Sequence, residues 1–172
     1  MKRPRRKNSI RKKDWNYRTP GYYFITFCTY NRIHHFEEEP IKQIVTGLIL
    51  RLQTFKSCHH IKVDTWVVMP NHVHLLIYLG ETIEYRTELY VTTRVMPKSV
   101  GAVVGTLRKN ASRQIKKTGF EEKIWQRGYY DRIVRNEDEL NRIREYIRLN
   151  PVKWAEDHEN LERLLESMDY HP

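Results

Sequence analysis

Two histidines separated by one residue, His72 and His74, stand inside a run of apolar residues. The run includes Val73, Leu75 and Ile77, and its aliphatic and β-branched composition predicts a buried strand. Because successive strand side chains point to opposite faces, both imidazoles lie on one face and the three aliphatic side chains on the other. Two imidazoles on one face can bind the same metal ion, so the spacing predicts a metal site.

A phenol and a carboxamide four residues apart, Tyr146 and Asn150, form the second candidate group. This spacing puts both side chains on the same side of a helix. If that helix lies against the histidine face, a divalent ion could take two imidazole nitrogens and the Asn150 oxygen, with open positions for a phosphate oxygen. Tyr146 would then attack phosphorus, leaving a 5′-phosphotyrosine and a free 3′-hydroxyl. A phenol has a pKa of about 10, so a metal or another positive charge must lower the barrier.

Other residues could serve similar chemistry, but their contexts favour other roles. Tyr129 and Tyr130 are rival nucleophiles, although their predicted strand position favours packing or base stacking. Residues 58–60 (CHH) contain zinc-ligand types without a second pair at the spacing of a metal site, so we interpret them as a loop or helix end. His34 and His35 are predicted to lie on the surface.

The elements that must position these groups follow from hydrophobic periodicity. Their order is strand, helix, strand, strand, helix, strand, helix, which predicts an α+β, ferredoxin-like sandwich with an antiparallel sheet of four to five strands. Residues 80–97 are predicted only as a hairpin or a loop. The predicted elements are a strand at 22–30, a helix from Pro40 with an apolar stripe reaching Phe55, strands at 61–68 and from His72 after a Pro70-Asn71 turn, a helix from Ser99 to Gly119, a strand at 123–134 bent at Gly128, a helix from its N-cap Asn136 to a stop at Pro151, and a tail helix at 159–168.

The length and composition of the chain limit the number of domains that it can form. A chain of 172 residues with 40% hydrophobic and 30% charged residues is typical of one globular domain with modest tails. We predict an arm at 1–18, a catalytic domain at 19–155 and a helical tail at 156–172. The absence of a secretory signal, of an apolar run of about 20 residues and of a disulfide framework favours the cytoplasm.

The positive charge is concentrated at the N-terminus. Residues 1–13 hold eight basic side chains and no acidic ones, whereas the rest of the chain holds 23 basic and 21 acidic residues. The arm, with Lys12 and Lys13, either folds onto phosphates or is a disordered, solubilising segment. Further candidate phosphate contacts, for which a solvated basic face is the alternative, are Arg108, Lys109, Arg113, Arg127, Arg132 and Arg135.

Four segments together resemble a known family. They are residues 69–76 (MPNHVHLL), 104–109 (VGTLRK), 125–136 (WQRGYYDRIVRN) and 146–153 (YIRLNPVK). In this order and at these intervals they resemble the single-tyrosine HUH transposases, and most of all the REP-associated tyrosine transposases. The resemblance covers about residues 20 to 155.

The resemblance implies roles for residues of this chain. His72 and His74 would be metal ligands, Tyr146 the nucleophile, and Mg²⁺ or Mn²⁺ the cofactor. The substrate would be single-stranded DNA in imperfect hairpins of the repetitive extragenic palindrome type, and the protein would act as a monomer or as a homodimer that exchanges the tyrosine helix. Related insertion-sequence enzymes have a glutamine or a similar group as third ligand where Asn150 stands, and asparagine is one methylene shorter.

Two other functions fit the same sequence. A four-stranded sheet that carries aromatic residues also binds single-stranded DNA or RNA without catalysis. A structural metal site is the third reading, and it predicts that chelation unfolds the protein. The function that we predict is a metal-dependent single-stranded DNA endonuclease and strand transferase.

Overall fold

The structure, a computed structural model, describes residues 15–80 and 98–154. Lys12, Lys13, most of the loop predicted at 80–97 and the tail helix predicted at 159–168 lie outside these residues. Within them the chain forms four strands and three α-helices: β1 (Gly21–Cys28), α1 (Glu39–Leu50), β2 (Ile61–Met69), β3 (His72–Leu79), α2 (Val100–Lys116), β4 (Tyr130–Ile133) and α3 (Glu137–Trp154). This order confirms the prediction.

The four strands form one antiparallel sheet in the order β2-β3-β1-β4. The pairing of β1 with β3 puts Cys28 opposite His72 and Thr26 opposite His74. Directly paired residues share a face of the sheet, so these four side chains belong to one surface, which we call the histidine face. The sheet confirms the predicted ferredoxin-like α+β fold.

Two apolar cores lie on opposite sides of the sheet. The larger core contains Val73, Leu75 and Ile77, and it packs against α1 and α2. The smaller core joins Phe24 and Leu76 of the histidine face to the apolar residues of α3, which are Leu140, Ile143 and Ile147. Helix α3, which carries Tyr146, therefore covers the same face as the two histidines.

The helix starts were predicted more accurately than the helix ends. Pro40 lies in the first turn of α1, Ser99 caps α2 by accepting a hydrogen bond from the Ala102 N–H, and Asn136 accepts one from the Glu139 N–H. Helix α1 ends at Leu50, and the predicted continuation to Phe55 is wrong because short 3₁₀ turns follow it.

Three further predictions are corrected by the structure. Helix α3 continues through Pro151 to Trp154, although an interior proline removes one N–H donor and crowds the carbonyl four residues earlier. Trp154 packs on His72 one turn later. Of the strand predicted at 123–134, only Tyr130–Ile133 is a strand, although Gly128 does bend the chain at φ +86°. His35 is buried with its ring against Phe120, so it is not a surface residue.

Candidate active site

The histidine pair lies in the centre of the sheet and is almost inaccessible to solvent. His72 is 2% exposed and His74 is 0% exposed. Their Nε2 atoms lie 3.1 Å apart, and the two ring centroids are separated by 4.6 Å. The period-two alternation of β3 thus brings both nitrogens to one point on the histidine face.

The outer nitrogens of both rings are held by neighbouring side chains. The Asn71 Oδ1 atom lies 2.7 Å from the Nδ1 atom of His72. An amide oxygen only accepts, so His72 carries its proton on Nδ1 and directs the Nε2 lone pair inward. The Thr26 Oγ1 atom lies 2.7 Å from the Nδ1 atom of His74 and can accept from it in the same way. Such outer contacts are the ones that fix the orientation and tautomer of metal-binding imidazoles.

Burial keeps both imidazoles neutral. Desolvation, with the positive charge of Arg32 as a second cause, lowers the pKa of His72 to about 4. Desolvation, and then the neighbouring His72, holds the pKa of His74 well below its usual value. At neutral pH both rings are therefore in the form that binds a metal ion.

Tyr146 reaches the histidine pair from α3. Its hydroxyl lies 3.1 Å from the His74 Nε2 atom, and its ring packs edge-on against Phe24. Burial raises the pKa of Tyr146 to about 12, whereas a hydrogen bond from the Asn150 side chain acts in the opposite direction. A donor that lowers the pKa of a phenol stabilises the phenolate, so the Asn150 amide group donates to the phenol oxygen.

The geometry and chemistry of the donors fit a divalent cation. Two ligands at adjacent corners of an octahedral ion are about 3 Å apart when the bonds are about 2.1 Å long. The Nε2 atoms of His72 and His74 have this separation. The described residues contain no group of three or more His, Cys, Asp or Glu side chains placed to hold a metal. A third protein ligand among them must be of another type, such as the Asn150 amide.

An ion pair fastens α3 beside the site. Arg144, two residues before Tyr146, donates to both carboxylate oxygens of Asp64 on β2, at 3.0 Å from Nε and 2.7 Å from Nη2. The Asp64 carboxylate raises the pKa of Arg144 through this hydrogen bond. Near the end of α3, Trp154 packs on the His72 ring with a centroid separation of 5.5 Å. The helix is thus anchored on both sides of the phenol.

The cations predicted to contact DNA fall into two groups. Arg108 is partly buried, lies over the Trp125 ring and donates to the carbonyl oxygens of Gly128 and Gln126. Arg132 is bound to the buried Glu139 carboxylate. These two side chains hold the protein together, and their contact with DNA stays a prediction. The exposed side chains are those of Lys109, Arg113, Arg127 and Arg135.

Sequence reasoning missed several residues that build the site. Thr26 and Asn71 orient the imidazoles, Asp64 and Arg144 anchor α3, and Arg32 adds positive charge close to His72. Asn71 directly precedes His72, so this signal was available in the chain. The partners of Thr26 and Asp64 depend on strand register and helix docking, which no local pattern reveals.

Comparisons with known proteins show the family of this chain. The family profile described as "Transposase IS200 like" matches residues 18–150. Two proteins of Haemophilus influenzae are similar to this chain. An uncharacterised protein is 29% identical over 174 residues, covering 88% of this chain and 91% of the relative. A second, provisionally named a REP-associated tyrosine transposase, is 28% identical over 142 residues, covering 77% of this chain and 71% of the relative.

A solved structure shares the fold. A REP-associated tyrosine transposase bound to a REP hairpin superposes with a TM-score of 0.58 at 20% identity, covering 89% of this chain and 74% of that chain. The likeness shows that the two chains share an α+β fold with a four-stranded antiparallel sheet. The chain belongs to the IS200-like transposase family, and this confirms the resemblance found in the sequence. None of the helices in the described ranges is long and apolar enough to cross a membrane.

Proposed function

We propose that this transposase cleaves and rejoins single-stranded DNA through a covalent bond to Tyr146. The observation that carries the proposal is the 3.1 Å distance between the Tyr146 hydroxyl and the His74 Nε2 atom, across 72 residues of sequence. A phenol packed only for stability does not require a neutral imidazole at its oxygen, with a second oriented imidazole next to the first. Such convergence of a nucleophile with polar groups is typical of active sites.

The residues of the chain divide the chemistry between them. The Tyr146 oxygen attacks phosphorus while the bond from phosphorus to the 3′-oxygen breaks; the phenol loses a proton and the leaving 3′-oxygen gains one. A 5′-phosphotyrosine and a free 3′-hydroxyl result, and attack by another 3′-hydroxyl reverses the step and joins strands. The Asn150 side chain favours the phenolate by its hydrogen bond, and Phe24 and Arg144 hold the ring and its helix in position.

The cofactor that we propose is Mg²⁺ or Mn²⁺, held by the Nε2 atoms of His72 and His74 and by Asn150. When bound, this ion would polarise the scissile phosphate and neutralise the charge that develops on it. Positive charge is needed because burial, even with the Asn150 hydrogen bond, raises the pKa of Tyr146 to about 12. The low pKa values of both histidines keep the ligand nitrogens deprotonated at neutral pH.

The substrate that we propose is single-stranded DNA that contains an imperfect hairpin. The structural neighbour with the same fold is bound to a REP hairpin. The exposed cations of this chain suit contacts with phosphates, which supply most of the affinity in DNA binding. Lys109 and Arg113 lie on α2, and Arg127 and Arg135 flank β4.

The decisive experiment detects the covalent intermediate. The purified protein is incubated with 3′-labelled hairpin DNA and Mn²⁺ and analysed on a denaturing gel. We expect an adduct that Tyr146→Phe and excess chelator abolish and that Tyr78→Phe, which removes a hydroxyl from a partly exposed ring of β3, retains. An adduct that survives in Tyr146→Phe would assign the nucleophile elsewhere. Binding without any adduct would favour the non-catalytic single-strand binding protein.

One chain supplies the whole site in this structure, so we propose that a monomer is competent for cleavage. A complementation assay tests this statement. The Tyr146→Phe protein lacks the nucleophile and the His72→Ala protein lacks a ligand, so neither should form an adduct alone. A mixture should also be inactive if each site uses its own helix. Restored activity in the mixture would instead identify a homodimer that exchanges α3.

A further inference from the structure

A pocket opens on the histidine face beside the proposed active site. Its floor is formed by Thr26 and Cys28 of β1, and its wall is the segment 126–130 that leads into β4. The exposed side chains of Gln126 and Arg127 lie at the pocket. Tyr130 pairs with Thr26 across the strands, so its ring lies on the histidine face. An amide, a guanidinium and an aromatic ring are the groups with which proteins bind nucleotides.

The wall of the pocket is held rigidly from behind. The Gln126 N–H donates to the Cys28 carbonyl oxygen at 3.0 Å, and the Arg108 guanidinium donates to the carbonyl oxygens of Gln126 and Gly128. Arg108 itself is fixed over the rings of Phe27 and Trp125. Burial lowers the pKa of Arg108 to about 10, so it remains a cation at neutral pH. A wall fixed in this way presents its outer side chains at little entropic cost to binding.

The pocket and the nucleophile lie at opposite edges of one imidazole. The Nδ1 atom of His74 faces Thr26 in the pocket floor, whereas its Nε2 atom faces the Tyr146 hydroxyl. Helix α3 packs chiefly on β2 and β3 and reaches Phe24 on β1. The part of the histidine face that opens to the pocket is the end lined by Thr26, Cys28 and Tyr130. In phosphoryl transfer the attacking and leaving oxygens stand roughly in line on either side of phosphorus. With Tyr146 on one side of the scissile phosphate, the leaving 3′-oxygen is directed to the other side.

From this geometry we infer that the pocket binds the deoxynucleotide immediately 5′ of the cleaved bond, the one that leaves with the free 3′-hydroxyl. In this arrangement Tyr130 stacks on its base, Gln126 contacts the edge of the base, and Arg127 contacts the neighbouring phosphate. The inference rests on the proposed function, because it takes the direction of attack from Tyr146. It makes the pocket a determinant of which base precedes the cleavage point.

A randomised substrate tests this inference. Hairpin DNA with random bases on both flanks is incubated with the protein and Mn²⁺, and the released 3′-hydroxyl fragments are sequenced. We expect the wild type to prefer one base at their 3′ end and Gln126→Ala to reduce that preference on the order of tenfold. The matched control Gln43→Ala, on α1 at the other face of the sheet, should keep the preference. Equal preferences in wild type and Gln126→Ala would overturn the inference.

Photochemical crosslinking separates this inference from the proposed function. Tyr146→Phe protein is irradiated with the same hairpin carrying 5-bromodeoxyuridine at one flanking position at a time. We expect a crosslink to the peptide containing residues 126–130 from the base 5′ of the cleavage point. A crosslink to residues 126–130 from any flanking base, without any adduct in the wild type, would refute catalysis and retain the pocket as a DNA subsite. An adduct without a crosslink at 126–130, or one from the base 3′ of the cleavage point, would refute the pocket assignment.

Discussion

The ion pair between Arg144 and Asp64 should position the nucleophile, and its energy can be measured. Its two parallel hydrogen bonds join α3 to β2, and the side chains are 36% and 17% exposed. Exposed ion pairs contribute about 0.2–1 kcal/mol, and bidentate geometry with a half-buried carboxylate favours the upper end of that range. Solvent screening of Arg144 argues against a larger figure, so we expect a coupling energy of about 1 kcal/mol.

A double-mutant cycle measures this coupling. The free energy of unfolding is determined by urea titration for the wild type, Arg144→Met, Asp64→Asn and the double variant, at low and high salt. The coupling energy should shrink at high salt because screening weakens exposed pairs. Arg142→Met is the matched control, since Arg142 is an exposed arginine two residues earlier on the same helix.

The rate of adduct formation gives a readout that stability alone would not change. If the whole coupling energy of about 1 kcal/mol serves to position Tyr146, its loss raises the activation barrier by that amount and lowers the rate about fivefold. We therefore expect Arg144→Met to lower the single-turnover rate at saturating DNA severalfold, with little change in affinity for DNA. A coupling energy near zero at low salt, or equal rates for Arg144→Met and Arg142→Met, would refute the positioning role.

Three further predictions concern the cation, the thiols and the pocket wall. Mn²⁺ at about a hundredfold its Kd should raise the free energy of unfolding of the wild type by about 2.7 kcal/mol, measured by thermal denaturation. The same rise in His72→Ala would mean that the ion binds elsewhere. Cys28 and Cys58 are buried, and burial raises the pKa of both thiols. Iodoacetamide at pH 8 should therefore modify the folded protein on the order of tenfold more slowly than the urea-unfolded protein, as measured by mass spectrometry. Gly128 has φ +86°, which strains any L side chain, so Gly128→Ala should lower the free energy of unfolding by about 1–2 kcal/mol although the space around it is open. Gly105→Ala within α2 should raise it by up to about 1 kcal/mol in the same urea titration, because alanine favours a helix more than glycine does. Equal stabilities of the two variants would contradict backbone strain at Gly128.

The parts of the site that sequence predicted are those governed by short repeats. The two-residue period of a strand was enough to place His72 and His74 on one face, and the i,i+4 spacing placed Asn150 beside Tyr146. The order of elements then restricted the fold to a few sandwiches, of which the ferredoxin-like one is confirmed. These inferences succeed because backbone geometry alone dictates which side chains share a surface.

The wrong predictions have a common cause, which is that tertiary contacts override local preference. A helix was expected to stop before Pro151, yet α3 continues, and Trp154 packs on both His72 and His34. A single long strand was expected at 123–134, yet Arg108 of α2 binds two carbonyl groups of that segment. These two carbonyl groups accept from a side chain, and the regular strand begins only after them, at Tyr130.

The meeting of the nucleophile with the histidines is a question of docking rather than of pattern. Arg144 and Asp64 are separated by 80 positions, and Tyr146 and His74 by 72, so both contacts form only when α3 lies across β2 and β3 in one orientation. Apolar packing of Ile143 and Ile147 determines which face α3 covers, but it is non-directional. The bidentate pair is directional and can fix how far α3 slides along the sheet. A shift of one residue along a helix moves a side chain about 1.5 Å, which is enough to separate a phenol from its hydrogen-bond partner.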